Sequence, residues 1–321
     1  MRQATDPRDT PCGMNGADCR RWLRSALRED LGRGDITSRA TIPASAVARG
    51  QFIAKECGIA AGLPLLGPLF SLLDERCSVR SKVRDGARVQ PGQVLAEVTG
   101  PARAILAGER VALNLIQHLS GVATLTSRYV AAVAGTGAKI LDTRKTSPGL
   151  RLLEKYAVRA GGGANHRLRL DDQVLIKDNH LALLGGGLAA LKESLRRCQS
   201  LRKRAVRVEI EVRSAEEAVA AVRTGADIVM LDNVSPAQAR RAAMAIRALV
   251  VPQARPVLIE ASGGITLRNV VAYAKTGVDW ISIGALTHSA PGLDISLEME
   301  RAPARGQRRG RRPGAGRRVA S

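Results

Sequence analysis

Two patterns of apolar and polar residues divide this chain. Over residues 17–134, helical spacing alternates with short strand-like stretches, which predicts a small unit of helices and half-exposed strands. A long helical pattern from 106 to about 133 ends this part. Ahead of it, the pattern predicts helices at 17–31 and 63–73, a Gly-punctuated loop at 29–38, and strands at 51–54, 79–83 and 94–98.

From residue 139 the pattern becomes a repeat of one short apolar strand followed by one amphipathic helix. Such alternation predicts a parallel sheet, and about six repeats predict an α/β barrel with fewer than eight units. The predicted strands are 138–143, 173–177, 206–212, 227–231, 256–260 and 280–283, and the clearest helices are 188–198, 215–224, 236–249 and 267–276.

The sequence therefore predicts an α/β protein with two domains between two extensions. We expect an α+β domain with its long connecting helix at 17–134 and a barrel domain at 135–300. Residues 1–16 are polar and contain Pro and Gly, and residues 301–321 are rich in Arg, Gly and Pro. Both extensions have the composition of disordered segments.

The chain is strongly basic, with a net charge of +21 over 321 residues. Eight of the surplus charges are arginines of 301–321, so the remainder still carries +13. This surplus favours an anionic ligand or partner, although an Arg-rich surface would give the same count. Nucleic-acid binding is the competing interpretation, but only 2% of the residues are aromatic and no nucleic-acid motif is present.

The cysteines and the apolar runs indicate a cytoplasmic protein. Five scattered cysteines without a C-x-x-C pair predict neither structural zinc nor a disulfide framework, and a reducing compartment fits them. The first fifteen residues lack the apolar core of a signal peptide, and no apolar run reaches the length of a membrane span. We expect no membrane association.

Charged or polar groups follow each of the six predicted strands. In an α/β barrel these ends meet at one face, where catalytic side chains are presented. Glu209 and Glu211 share one face of their strand because they are two residues apart. The groups are Arg144 and Lys145, Lys177, Glu211, Asp232, Ser262 with Gly263 and Gly264, and Gly284 with His288.

These residue types suit a polyanionic substrate. Arginine grips planar carboxylates through paired N–H bonds, and the cations concerned are Arg144, Lys145, Arg167 and Lys177, with His166. Asp232, with Glu211 or Glu209, offers oxygens to Mg²⁺, and the spacing does not separate the two glutamates. A Ser-Gly-Gly turn lets backbone amides approach a phosphate.

Six stretches of the chain resemble the quinolinate phosphoribosyltransferases, the carboxylating nicotinate-nucleotide pyrophosphorylases. The resemblance runs from about 17 to 299 and excludes only the two ends of the chain. The stretches are EDLGRGD at 29–35, ERVALN at 109–114, DTRKTSPGLR at 142–151, GGGANHR at 161–167, LIKDNH at 175–180 and GALTHS at 284–289. One departure is Arg213, where an acidic residue is usual in that family.

The resemblance implies an N-terminal α/β sandwich domain and an incomplete barrel, assembled as a homodimer or larger homo-oligomer in which Arg110 completes the neighbouring site. It implies a pentosyltransferase of NAD biosynthesis that uses quinolinate, phosphoribosyl pyrophosphate and Mg²⁺. Metal ligation falls to Glu211 and Asp232, and catalysis to these two with Lys145 and Lys177. The implied substrate-binding residues are Arg110, Thr143, Arg144, Lys145, His166, Arg167, Lys177, Glu211, Asp232, Ser262, Gly263, Gly264, Ser282, Gly284 and His288. The alternative within this fold is a related barrel with a different anionic substrate.

Overall fold

The computed structural model describes residues 15–202, 206–249 and 256–301. The predicted disorder of 1–16 and 301–321 falls almost wholly outside these ranges, and only residues 15, 16 and 301 are described. Residue 16 already belongs to the first helix and residue 301 to the last strand.

The first part of the chain mixes helices and strands, as predicted. Its elements are α1 (Gly16–Leu31), α2 (Ile36–Thr41), β1 (Val47–Ala54), β2 (Gly58–Ile59), a 3₁₀ turn (Leu63–Leu65), α3 (Leu66–Leu73), β3 (Ser78–Ser81), β4 (Arg88–Val89), β5 (Val94–Pro101) and α4 (Ala102–Ala132).

The second part repeats strand and helix until its last element. It contains β6 (Lys139–Leu141), α5 (Arg151–Ala160), β7 (Val174–Ile176), α6 (Asp178–Leu183), α7 (Gly187–Arg202), β8 (Val208–Val212), α8 (Ala215–Thr224), β9 (Ile228–Asp232), α9 (Pro236–Arg247), β10 (Leu258–Ser262), α10 (Val270–Ala274), β11 (Trp280–Ser282), α11 (Ala285–His288) and β12 (Ile295–Arg301).

Local capping explains why several helix bounds agree with the prediction. Ser214 caps α8 by accepting the Glu217 N–H at 3.1 Å, and the helix ends at Gly225 with φ of 103°. Ser235 and Gln238 form a capping box at the start of α9, which has a proline in its first turn.

The six parallel strands pair in the order β6-β11-β10-β9-β8-β7. The first strand therefore lies beside the sixth, while β6 and β7 do not pair with each other. Residues 163–165 lie along the free side of β6, where Ala164 bridges Leu141 in parallel. The barrel is incomplete as predicted, and its opening lies between its first and second strands.

Three strands were not indicated by the sequence pattern: the two-residue strands β2 and β4, which pair with each other, and β12. β12 leaves the barrel and pairs antiparallel with β1, which gives the first sheet the order β12-β1-β5-β3. Ile295, Leu297 and Met299 do alternate, but four of the strand's seven residues are polar or charged, as is usual for an edge strand. The predicted loop at 29–38 also contains the start of α2.

Helix α4 joins the two parts of the molecule. It contacts β1, β2 and β5 of the first part, β6, α5, α10 and α11 of the second, and β12, which returns from the second part to the first sheet. The segment after α11 crosses it closely, since a Cβ placed on Gly121 would lie 2.0 Å from the Pro291 carbonyl oxygen. No helix of the described residues is long and apolar enough to cross a membrane.

A charge cluster around Glu97 links β1, β5 and the segment after β3. Its carboxylate lies 2.9 Å from the Lys82 ammonium and 2.5 Å from the Arg49 guanidinium, and accepts the Gln51 amide at 3.1 Å. The bonds from Lys82 and Arg49 lower the pKa of Glu97 to about 2.

We predict that Glu97→Gln lowers the unfolding temperature at pH 7 and leaves it unchanged near pH 2. A carboxyl group with a depressed pKa stabilises the fold above its unfolded pKa of about 4.3, and this contribution disappears as the pH falls toward 2. Thermal unfolding of both proteins from pH 7 to pH 2 measures the difference. An equal difference at every pH would contradict the assignment to this charge.

Candidate functional site

The carboxyl ends of the barrel strands surround a cavity of about 680 Å³, called here the mouth pocket. All but one of the predicted site residues line it. They are Thr143, Arg144, Lys145, His166, Arg167, Lys177, Glu211, Asp232, Ser262, Gly263, Gly264, Ser282, Gly284 and His288. The remaining one, Arg110, is exposed on α4 and does not line this pocket.

The loop after β6 is held from two sides. On one side, the Thr287 hydroxyl donates to the Lys145 carbonyl oxygen at 2.7 Å. On the other, the Ser147 N–H donates at 3.1 Å to Glu154, a fully buried carboxylate that also meets His118 Nε2 at 2.9 Å. Arg144 and Lys145 are therefore presented from a fixed loop.

Arg144 itself carries an unused donor. Its Nε is buried and has no hydrogen-bond partner among the described residues. A buried N–H without a partner is costly, and an anionic ligand in the mouth pocket would satisfy it.

A buried ion pair fixes the segment that follows α5. Asp142, at the end of β6, pairs with the Lys155 ammonium of α5, and both side chains are at most 2% exposed. The carboxylate also accepts the Asn165 amide at 2.5 Å and the His166 N–H at 3.0 Å, while Lys155 donates to the His166 carbonyl at 3.0 Å. Burial raises the pKa of Asp142 and lowers the pKa of Lys155, and each partner's charge opposes the other's shift.

His166 enters the barrel through the opening between β6 and β7. Its Nε2 lies 3.1 Å from Glu209 and 3.4 Å from Glu260, two carboxylates with no exposed surface. Its Nδ1 accepts the N–H of Arg167 at 2.8 Å. Neither oxygen of Glu260 makes a hydrogen bond within the described ranges.

The pKa values of His166 and Glu209 are both shifted by this buried arrangement. Burial opposes the charge of His166, but the nearby Glu209 and Glu260 carboxylates outweigh that effect and raise its pKa to about 10. Burial and the nearby Glu260 charge raise the pKa of Glu209 to about 7. Because Nδ1 accepts the Arg167 N–H, the ring proton lies on Nε2, which faces the carboxylates.

Three carboxylates line the mouth pocket itself: Asp178, Glu211 and Asp232. Glu211, on β8, pairs with the Lys177 ammonium, and Asp232, at the end of β9, accepts the Asn233 amide at 3.0 Å. Glu209, by contrast, lies below them inside the barrel and does not line the pocket. Arg213, the departure from the family pattern, points to Asp178, whose carboxylate its guanidinium contacts at 3.1 Å.

Neighbouring side chains lie so close to the main chain at residues 263 and 284, on the opposite side of the pocket, that glycine fits best at both positions. Gly263 has φ of +91°, and a Cβ there would lie 2.2 Å from the Asn233 side-chain oxygen. A Cβ on Gly284 would lie 2.9 Å from the side chain of Lys145. The turn after β10 therefore leaves backbone amides open to a phosphate.

Sequence reasoning missed two polar residues of this region. Asn233 has φ of 54° and bridges the ends of β9 and β10 through its N–H to the Ser262 carbonyl, at 2.9 Å. Gln173 donates to Glu209 at 2.5 Å. The two-residue spacing from Gln173 to the inward-facing Leu175 was a signal for an inward side chain.

Both domains match families of known proteins. The sequence model of the quinolinate phosphoribosyl transferase C-terminal domain matches residues 122–298, and that of the N-terminal domain matches residues 35–120. The probable nicotinate-nucleotide pyrophosphorylase (carboxylating) of Bacillus subtilis is 43% identical over 286 residues, covering 89% of this chain and 95% of the relative. The nicotinate-nucleotide pyrophosphorylase (carboxylating) of Mycobacterium leprae is 46% identical over 282 residues, covering 86% and 95%.

Solved structures share the fold. The crystal structure of NadC from Streptococcus pyogenes has a TM-score of 0.82 at 37% identity and covers 90% of this chain and 99% of its own. The nicotinate-nucleotide pyrophosphorylase from Francisella tularensis has a TM-score of 0.79 at 35% identity, covering 93% and 100%. These matches extend over both domains described above.

We predict that Lys155→Met lowers the free energy of unfolding by about 3–5 kcal/mol, because it leaves the buried Asp142 charge without its partner. Urea unfolding measures the change. The exposed Lys192→Met on α7 is the matched control and should change stability by less than about 0.5 kcal/mol. Equal effects of the two substitutions would contradict the role of the ion pair.

Proposed function

The chain belongs to the quinolinate phosphoribosyltransferase family, and we propose that it transfers the phosphoribosyl group of phosphoribosyl pyrophosphate to quinolinate. The products are nicotinate mononucleotide, pyrophosphate and CO₂, so the enzyme is a pentosyltransferase of NAD biosynthesis. One observation carries the proposal: a single pocket contains guanidinium and ammonium groups, three carboxylates and a glycine turn. Two substrates that are both polyanions require this combination.

We assign quinolinate to the side of the pocket formed by Arg144, Arg167 and Lys177. Arginine pairs favour planar carboxylates, and the free Nε of Arg144 supports its assignment. Thr143 and His166 line the same pocket.

We assign phosphoribosyl pyrophosphate to the other side, with Lys145, Glu211 and Asp232 near the ribose and pyrophosphate. The turn of Ser262, Gly263 and Gly264 would receive the 5-phosphate through backbone amides. Residues that line the pocket beside this turn complete the proposed phosphate site: Ser282, Gly284 and His288.

Mg²⁺ fits the donor set of this pocket. The ion takes one or two protein carboxylates together with substrate phosphates, and Glu211 and Asp232 both line the pocket. The third carboxylate there, Asp178, is paired with Arg213. Glu209 is engaged with His166 and Gln173, which supports Glu211 as the ligand. When bound, the ion would offset charge on the pyrophosphate.

Reaction requires the pyridine nitrogen to face the anomeric carbon while pyrophosphate departs, through a transition state with oxocarbenium character. The cationic side chains contribute by holding both substrates in line. Once the ring nitrogen is positive, the bond to the adjacent carboxylate breaks, CO₂ leaves, and the electron pair remains on the ring carbon until a proton joins it. The residues of this pocket need not supply a nucleophile.

We further propose a homodimer or larger homo-oligomer, acting in the cytoplasm, in which Arg110 completes the site of a neighbouring copy. Arg110 is exposed on α4 and lies outside the mouth pocket of its own chain, which supports this role.

The direct test is release of ¹⁴CO₂ from quinolinate labelled at the 2-carboxylate. We expect release that requires phosphoribosyl pyrophosphate and produces nicotinate mononucleotide in equal amount. Nicotinate is the matched control substrate, because it lacks the carboxylate that leaves. A preference for nicotinate as acceptor would contradict the substrate assignment.

Removal of divalent ions with EDTA should abolish turnover, and Mg²⁺ should restore it. We expect Asp232→Asn to raise the Mg²⁺ concentration for half-maximal activity by about tenfold, because it removes one anionic ligand. The exposed Asp294→Asn serves as control, and its Mg²⁺ requirement should equal that of the wild type. An unchanged requirement in Asp232→Asn would argue against Asp232 as a ligand.

A further inference from the structure

Arg167 and His166 of the mouth pocket form a closed circuit of polar contacts with two residues behind it, Glu209 and Gln173. The N–H of Arg167 donates to His166 Nδ1 at 2.8 Å, and His166 Nε2 meets Glu209 Oε2 at 3.1 Å. Glu209 Oε2 accepts the Gln173 amide at 2.5 Å. The main-chain carbonyl of Gln173 in turn accepts Arg167 Nη1–H at 2.9 Å, which returns the circuit to its first residue.

The circuit holds Arg167 at both ends. One contact fixes its main chain and another fixes its guanidinium, while the side chain still lines the mouth pocket. An arginine side chain otherwise has many rotamers, and ordering them when a ligand binds reduces affinity. A guanidinium already held in place avoids that loss.

The positive charge of the neighbouring Arg144 makes this restraint of Arg167 necessary. Burial lowers the pKa of Arg167, and the neighbouring Arg144 charge lowers it further, whereas the charges of Glu209 and Glu211 raise it. Two guanidinium groups at one site repel each other when no anion lies between them. Contacts from behind are therefore needed to keep Arg167 directed at the pocket before the substrate arrives.

The opening in the barrel makes the circuit possible. Gln173 precedes β7, and His166 enters between β6 and β7, so both reach Glu209 through the gap. Gln173 does not line the mouth pocket, and it borders a second cavity of about 470 Å³ on the outer side of the circuit. It acts on the pocket only through its neighbours.

We propose that Gln173, Glu209 and His166 are positioning residues that fix the Arg167 guanidinium for one carboxylate of quinolinate. The inference rests on the proposed function and adds to it a set of residues that do not bind phosphoribosyl pyrophosphate. His166 acts here through Arg167, since both of its ring nitrogens face protein atoms.

Gln173→Met keeps the length of the side chain but removes the amide donor that anchors residue 173, and with it the main-chain carbonyl that holds Arg167, to Glu209. We expect the KM for quinolinate to rise about tenfold, because a less ordered Arg167 weakens binding of the carboxylate in the ground state and the transition state alike. The kcat and the KM for phosphoribosyl pyrophosphate should stay within about twofold of the wild type. The control is Gln199→Met, an exposed glutamine of α7, which should leave all three constants unchanged.

A double variant in which donor and acceptor are exchanged distinguishes a positioning role of the contact between residues 173 and 209 from a role in packing alone. In Glu209→Gln, the Gln173 amide and the His166 Nε2–H compete for the one remaining acceptor oxygen, so the KM for quinolinate should also rise about tenfold. In the double variant Gln173→Glu with Glu209→Gln, the new carboxylate accepts the new amide, and the amide oxygen still faces His166. We expect this double variant to recover a KM within about threefold of the wild type.

Three results would overturn the inference: unchanged quinolinate KM in both single variants with only a lower unfolding temperature, an equal rise in the KM of both substrates, or no recovery in the double variant. Each requires a wild-type enzyme that releases CO₂ from quinolinate. A wild-type enzyme that releases none would contradict the proposed function and the inference together, so the two failures are distinguishable.

Discussion

The buried pair of Asp142 and Lys155 is the interaction on which the rest of the site depends. It joins the end of β6 to α5 and, through three further hydrogen bonds, fixes residues 165 and 166 in the opening of the barrel. A buried ion pair needs well-placed additional hydrogen bonds to offset desolvation, and these have them. The pair therefore determines where His166 and Arg167 lie.

The second constraint is the balance of charge. The mouth pocket brings cations together, and the carboxylates beside and beneath it reduce their repulsion: Glu211 pairs with Lys177, while Glu209 and Glu260 lie under His166. Without these anions, the cationic side chains would repel one another whenever no substrate is bound. Arg144, whose Nε has no partner among the described residues, keeps capacity for an anionic ligand.

The sequence predicted what depends on local pattern. The alternation of apolar strands with amphipathic helices located the six barrel strands to within a few residues. The groups that follow these strands meet at one pocket because parallel strands share one carboxyl edge. The pattern could not locate the opening of the barrel, since pairing of β6 with β11 joins residues about 140 positions apart. The contact of Gln173 with Glu209 could not be predicted for the same reason, although the alternation along each strand indicates which face each side chain occupies. The role of Arg110 stays a prediction, because it concerns a second copy.

The arrangement of the site depends on the opening of the barrel. In a closed barrel, β6 and β7 would satisfy each other's backbone groups and leave no passage for a side chain between them. Here the main chain of Ala164 replaces part of that pairing with β6. His166, two residues later, extends through the remaining gap to the carboxylates inside the barrel. The missing strands are thus what allows a loop residue to connect the barrel interior with Arg167. We infer that closing this gap would remove the restraint on Arg167 even with every residue of the mouth pocket retained.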